Sequence, residues 1–328
     1  MNLRCALLLA AGVALLPAAG RAAPVDIREW TVPWENSGPR DPDIAPDGRA
    51  WFVGQRGDYV ANLDPETGEF SRYDLDPGTG PHNLIVDGEN GIWYAGNRAA
   101  HIGFMDPKTA RIVKIAMPDK KAVDPHTLTF DGLGNVWFTV QQGNFVGRLA
   151  MQSHAVQLIE VPTRRARPYG IVVNANGIPW AVEFGSYKLI RIDPEAMSLE
   201  EIPLPDEDSR PRRLVVTSDG DVWYGDYARG YLGRYDPGSG SFDEWALPGG
   251  ADSRPYGMAV DRFDRVWLVE TGVSPNRLLG FDTDEETFFS TTDIPSGAGA
   301  VRHMSYYEPA GEIWFGTDAN TIGRAKVH

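Results

Sequence analysis

A tryptophan that closes a short turn recurs along this chain at a nearly constant period. It stands in "AWF" at Trp51, "IWY" at Trp93, "VWF" at Trp137, "PWA" at Trp180, "VWY" at Trp223, "VWL" at Trp267 and "IWF" at Trp314, at spacings of 42, 44, 43, 43, 44 and 47 residues. In the first six units a proline lies twelve residues earlier, at Pro39, Pro81, Pro125, Pro168, Pro211 and Pro255. An alternating stretch such as "NLIVD" or "GIVVN" follows the proline, and a Gly/Asp/Asn turn then leads to the tryptophan strand. A third stretch ("HIGFMDP", "LIRIDP", "YLGRYDP") and a fourth ("VKIAMP", "LEEIPLP") complete the unit. Period-two alternation between turn residues, with no helical period, specifies antiparallel strands. Four strands in 42 to 47 residues make one propeller blade. The chain is therefore expected to be all-β, a seven-bladed β-propeller. Two packed β-sandwich domains would leave one grammar repeated seven times without a reason.

The two ends of the repeat are complementary. The last unit stops at "TIGRAKVH", after a third strand, whereas "VDIREWTVP" reads as a fourth strand with no blade of its own. An N-terminal strand completing the last blade would close the ring and cover its edges. That closure matters because the only cysteine, Cys5, lies in "MNLRCALLLAAGVALLPAAGRAAP", where Arg4, a short apolar run and small residues read as a secretory signal peptide. The expected organisation is a signal over residues 1–23 and one propeller over 24–328. The mature chain would then hold no thiol and would be periplasmic or secreted, monomeric, and free of membrane once the signal is cleaved.

Charge excludes one class of partner. There are 31 basic and 45 acidic residues, a net of −14, and removal of Arg4 and Arg21 takes this to about −16. No basic run occurs, which argues against nucleic acid.

Eleven residues before each tryptophan stand Arg40, His82, His126, Tyr169, Arg212, Tyr256 and His303. None is aliphatic, and three of the six histidines fall in these seven slots. The slot is the entry to the innermost strand, so the seven should ring one mouth of the central channel. As a plug they would only hydrogen-bond one another, but a plug needs neither histidine nor arginine. As a site they would contact a small molecule at the mouth. Three residues after the tryptophan stand Gly54, Gly96, Val140, Glu183, Asp226, Glu270 and Thr317. The consecutive acids Glu183, Asp226 and Glu270 could hold a hard cation through oxygen, or pair with arginines such as Arg210, Arg212 and Arg254. His101, His154 and His328 fall outside the ring and are expected in solvent.

The phrases "GPHNL" and, one unit later, "DPHTL", with "RPYGIVVNANGIPWAVEFGSYKLIRID", resemble the virginiamycin B lyase family across essentially the whole mature chain. That family is a seven-bladed propeller that opens streptogramin B antibiotics by elimination and so confers resistance. Its site has one histidine in a "PH" phrase, then a Glu-Pro-His phrase one blade later, and a glutamate after that blade's tryptophan. The resemblance implies His82 as a substrate contact, His126 as the catalytic residue, and magnesium, or calcium in its place, on Asp124 and Gln141. This chain departs in having Asp124 for the first glutamate and Val140 or Gln141 for the second. Its pair also falls in units two and three, where the family's lies in the last two. Two other functions stay open: a metal-dependent lactonase using Glu183, Asp226 and Glu270, and a non-catalytic propeller that binds a small molecule or a protein.

Overall fold

The computed structural model describes residues 24–328, so the expected signal over residues 1–23 lies outside the described residues. Seven four-stranded antiparallel sheets follow one another along the chain. The innermost strands are Pro39–Ile44, Pro81–Val86, Pro125–Phe130, Pro168–Val173, Pro211–Val216, Pro255–Val260 and Val301–Tyr307. Each pairs with its tryptophan strand through a register shift, just after the first residue in six blades and after Arg40 in the first. A bulge of this kind bends the strand and re-aims side chains. Here it falls on the residues at the channel mouth.

The core is seven apolar layers, one at each junction between neighbouring blades. One layer joins Trp93 and Ile102 of the second blade to Phe138 and Leu149 of the third. Another joins Val269 and Leu278 of the sixth to Phe315 of the last. The tryptophans explain the period: Trp137, Trp180, Trp223, Trp267 and Trp314 are among the largest fully buried side chains.

Strand Asp26–Thr31 pairs with Thr321–Lys326 from Asp26↔Lys326 to Thr31↔Thr321 and completes the last blade. Trp30 stacks on Trp314 at 5.6 Å between centroids and 12° between planes. Asn320 Nδ2 donates to the carbonyls of Val32 and Trp34 at 2.9 and 3.1 Å, and Glu29 accepts from Ser296 N and Oγ, both at 2.7 Å. The ring is thus closed without a covalent bond. Among the described residues, no helix is long and apolar enough to cross a membrane.

Candidate functional site at the channel mouth

Six of the seven expected ring residues lie in equivalent places, immediately after the first residue of the innermost strand. The last blade differs. There Val301 pairs with Thr317 as Pro125 pairs with Val140, so Arg302 occupies the ring position and His303 lies one residue deeper. The cause is a one-residue insertion where the 3₁₀ turn Glu308–Ala310 replaces the tight turn of the other blades. Counting back from Trp314 therefore lands on the wrong residue.

The second inner position also needs correction. Gly54, Gly96, Val140, Glu183, Asp226, Glu270 and Thr317 are buried inside the blades rather than open to the channel mouth. A Cβ on Gly54 would collide with Tyr59, and one on Gly96 with His101, which is itself buried rather than in solvent. His154 and His328 are exposed, as expected. In four blades the next residue, at the turn beyond the strand, is the one that contacts a ring residue. Gln55 Oε1 accepts from Arg40 Nη1 at 2.5 Å, Phe184 and Tyr227 pack on Arg212, and Asp318 binds Arg302 through both guanidinium nitrogens.

His82 and His126 meet. Their ring centroids are 3.7 Å apart, and His126 lies 3.9 Å from the Tyr169 ring on its other side. They are 5% and 2% exposed. Burial, then the charges of Arg213, Arg40 and Arg212, hold the His126 imidazole well below its ordinary pKa. Burial, then Arg40, His126 and Arg213, do the same at His82. Both rings are therefore neutral at pH 7. His126 Nδ1 is 2.9 Å from Thr127 Oγ1, which accepts from Arg213 Nη1 at 2.9 Å. Arg213 also donates from Nη2 to Asp41 Oδ2 at 3.3 Å and from Nε to the Arg302 carbonyl at 3.0 Å.

The opposite half of the mouth is aromatic. The Arg212 guanidinium carbon lies 3.8 Å from the Tyr256 ring centroid, 4.4 Å from Phe184, 4.5 Å from Tyr227 and 5.1 Å from Tyr169. Cation–π contact and Tyr169 Oη, 3.4 Å from Nη2, hold this charge in place. Burial would raise the Tyr169 phenol, but Arg212, Arg213 and Arg40 override it and draw it below its ordinary value. The Tyr169 and Tyr256 hydroxyls hydrogen-bond each other.

The candidate metal ligands do not assemble. Among the described residues, no group of three or more His, Cys, Asp or Glu could hold a metal ion. Asp124 accepts from Asn97 Nδ2, and burial pushes its carboxyl up to about 6. Gln141 lies beside it, with its backbone N–H on the Asp124 carbonyl at 3.1 Å, but contributes only an amide; Val140 is in the apolar core. The other three acids are apart, each held within its own blade. Glu183 takes the Ser186 hydroxyl at 2.5 Å, Asp226 accepts from the Arg210 and Ala228 backbone, and Glu270 binds Arg277 Nε at 2.8 Å and Ser253 Oγ at 3.0 Å. Hard dications take several charged oxygens. One carboxylate beside an amide, already under the charge of Arg167, does not fit magnesium.

Together these features define a seven-bladed propeller with a polar and aromatic site at one channel mouth. The family model described as "Virginiamycin B lyase family" matches residues 17–278, and the chain belongs to that family. A streptogramin B lyase structure superposes with a TM-score of 0.82 at 22% identity, covering 92% of this chain and 97% of that one. Virginiamycin B lyase from Staphylococcus aureus gives 0.83 at 20% identity, covering 93% and 100%; a catalytically inactive histidine-to-alanine form with quinupristin gives the same values. Hydrazine synthase from Kuenenia stuttgartiensis gives 0.75 at 14% identity over 90% and 97% of the two chains. No curated protein matches the sequence.

Proposed function

We propose that the mature chain is an exported, monomeric carbon–oxygen lyase that opens the ester or lactone of a cyclic depsipeptide of the streptogramin B type at this mouth. The observation that carries the reading is the packing of His126 between His82 and Tyr169 at the mouth, with Arg213 joined to it through Thr127. A neutral imidazole accepts a proton. His126 takes the carbon-bound proton beside the ester, the C–H electron pair becomes a C=C bond, and the C–O bond breaks. The leaving oxygen departs as a carboxylate, and no water is consumed. Guanidinium groups suit the charge that develops on the carbonyl and leaving oxygens. His82, Tyr169, Arg212 and Tyr256 contact the substrate.

Product mass tests this. With a streptogramin B depsipeptide as probe, elimination gives a linear product of unchanged mass, and hydrolysis gives one heavier by a water. His126→Ala should abolish turnover with the fold retained, and His82→Ala should chiefly raise KM.

One observation favours a second reading. His126 is 2% exposed and covered on both faces, which suits a ring that binds a ligand without chemistry. Saturable depsipeptide binding with no change in the bound molecule would select it.

A further inference from the structure

The chain has 45 acidic against 31 basic residues, yet arginine gathers at the channel mouth. Three of these arginines are matched there: Arg213 by Asp41, Arg302 by Asp318, and Arg40 by Gln55 and Asp41. Arg212 is not. Among the described residues no carboxylate oxygen lies within 4.0 Å of it. Four aromatic rings surround it, its Nε is buried without a partner, and its side-chain bond is the long one from Nη2 to Tyr169 Oη at 3.4 Å. Nη1 makes no bond and is not buried. Ring faces offset part of the cost of a half-buried charge, but they leave the N–H donors at its edge unsatisfied. A carboxylate offers two coplanar oxygens to that edge.

The rim around Arg212 repeats the same sign at a cost in backbone conformation. The residue just before the innermost strand is left-handed in five blades: Gly38 (φ 60°), Gly80 (φ 50°), Asp124 (φ 69°), Arg167 (φ 53°) and Arg254 (φ 49°). Glycine is the residue this conformation favours. In the first two blades glycine stands there, and an arginine comes instead from the turn after the second strand. A Cβ on Gly38 would lie 3.0 Å from Arg56 Nε, and one on Gly80 2.6 Å from Arg98 Cδ. The fourth and sixth blades, on either side of Arg212, put arginine itself in the strained position. Arg167 lies 5.5 Å from the Phe184 ring that also packs on Arg212, and it reaches the Asp124 carboxyl through its field alone. Arg210, the counterpart in the fifth blade, is turned onto the Glu207 and Ser209 carbonyls at 2.8 and 2.5 Å. Strain held at a mouth points to a role for the side chain rather than for the fold.

We propose that the mouth binds a ligand that carries its own carboxylate. Arg212 takes the carboxylate on its Nη1–Nη2 edge, half-buried Phe184 and Tyr227 meet the ligand's apolar body, and Arg167 and Arg254 draw the anion in. This assignment rests on the mouth as the ligand site and not on elimination, so it names the ligand's class whether or not the ligand is then cleaved.

Calorimetry on the mature chain tests it with trans-cinnamate and N-acetylphenylalanine, each beside its neutral amide, and with phenyl phosphate as the competing oxyanion. At least one carboxylate should bind saturably and at least tenfold tighter than its amide. Arg212→Met should weaken that binding at least tenfold, and Arg212→Lys, which keeps the charge without the fork, should weaken it less. Arg167→Gly combined with Arg254→Gly should weaken it at least threefold with Tm unchanged or higher, because glycine relieves the left-handed backbone. A pair of arginines kept for the fold would instead lower Tm and leave binding alone. Binding is read without turnover, so a failure to cleave a depsipeptide bears on the lyase reading only. Failure of both carboxylates to bind, equal binding of the amides, tighter binding of phenyl phosphate, or binding that survives Arg212→Met overturns the proposal.

Discussion

Arg213 crosses the central channel from the fifth blade to reach Asp41 of the first, Nη2 to Oδ2 at 3.3 Å, and the two side chains are 4% and 0% exposed. Burial alone would raise the Asp41 carboxyl, but Arg40 and Arg213 override it and hold it below its ordinary value. Asn83 of the second blade donates to the same carboxylate, and Thr127 of the third accepts from the same guanidinium. With the Arg213 bond to the Arg302 carbonyl of the last blade, one buried pair ties five blades together.

Breaking that pair should be costly. Arg213→Met leaves Asp41 buried and uncompensated, a loss of about 3–5 kcal/mol for removal of one partner of a buried pair. Adding Asp41→Asn should recover part of it, as measured by urea unfolding.

Closure should depend on Trp30. Trp30→Ala removes the stack on Trp314 and should cost about 3–5 kcal/mol. Deleting residues 24–34 should expose an edge strand and cost more, seen as a lower Tm and aggregation. An unchanged Tm after the deletion contradicts this account of closure.

The mouth histidines should make the fold acid-sensitive. His82, His126 and His303 all titrate below 6.5 when folded, His303 at about 4, with burial the first cause and Arg213 among the others. Below pH 6.5 the unfolded chain binds more protons than the folded one, so stability falls with falling pH. His303 contributes between pH 6.5 and about 4. His303→Asn should flatten that part of the decline.

Glu183 should act with the opposite sign. Burial, reinforced by nearby Glu201, pushes its carboxyl up to about 8, so its stabilising effect is complete below the unfolded value of 4.5 and is lost as pH rises through 8. Glu183→Gln should leave Tm nearly unchanged at pH 4.5 and raise it increasingly towards pH 9. A difference independent of pH would contradict a neutral Glu183.

Magnesium titration of the native chain should show no stoichiometric site by calorimetry, because Asp124 is the one carboxylate of its set. Gln141→Glu adds a second and should strengthen binding, which Asp124→Asn should then remove. Tight binding by the native chain, lost in Glu183→Gln, would place a cation elsewhere.

The spacing of Trp51 to Trp314 by itself determined the seven blades, since each unit needs one large apolar residue to fill the layer against its neighbour. "IREWTVP" determined the closure in the same way, because an alternating strand without a blade must pair somewhere. The contact between His82 and His126 was legible because equivalent positions of adjacent blades meet at the channel. Tertiary structure alone decided the rest. Arg302 displaced His303 from the ring through one residue inserted in a turn, which a count of spacing cannot locate. Gln55, Phe184, Tyr227 and Asp318 replaced the residues before them at the mouth, because the side a residue faces depends on where its strand ends. Arg213 and Asp41 are 172 residues apart. No local pattern marks such a pair, and the closed ring alone brings it together.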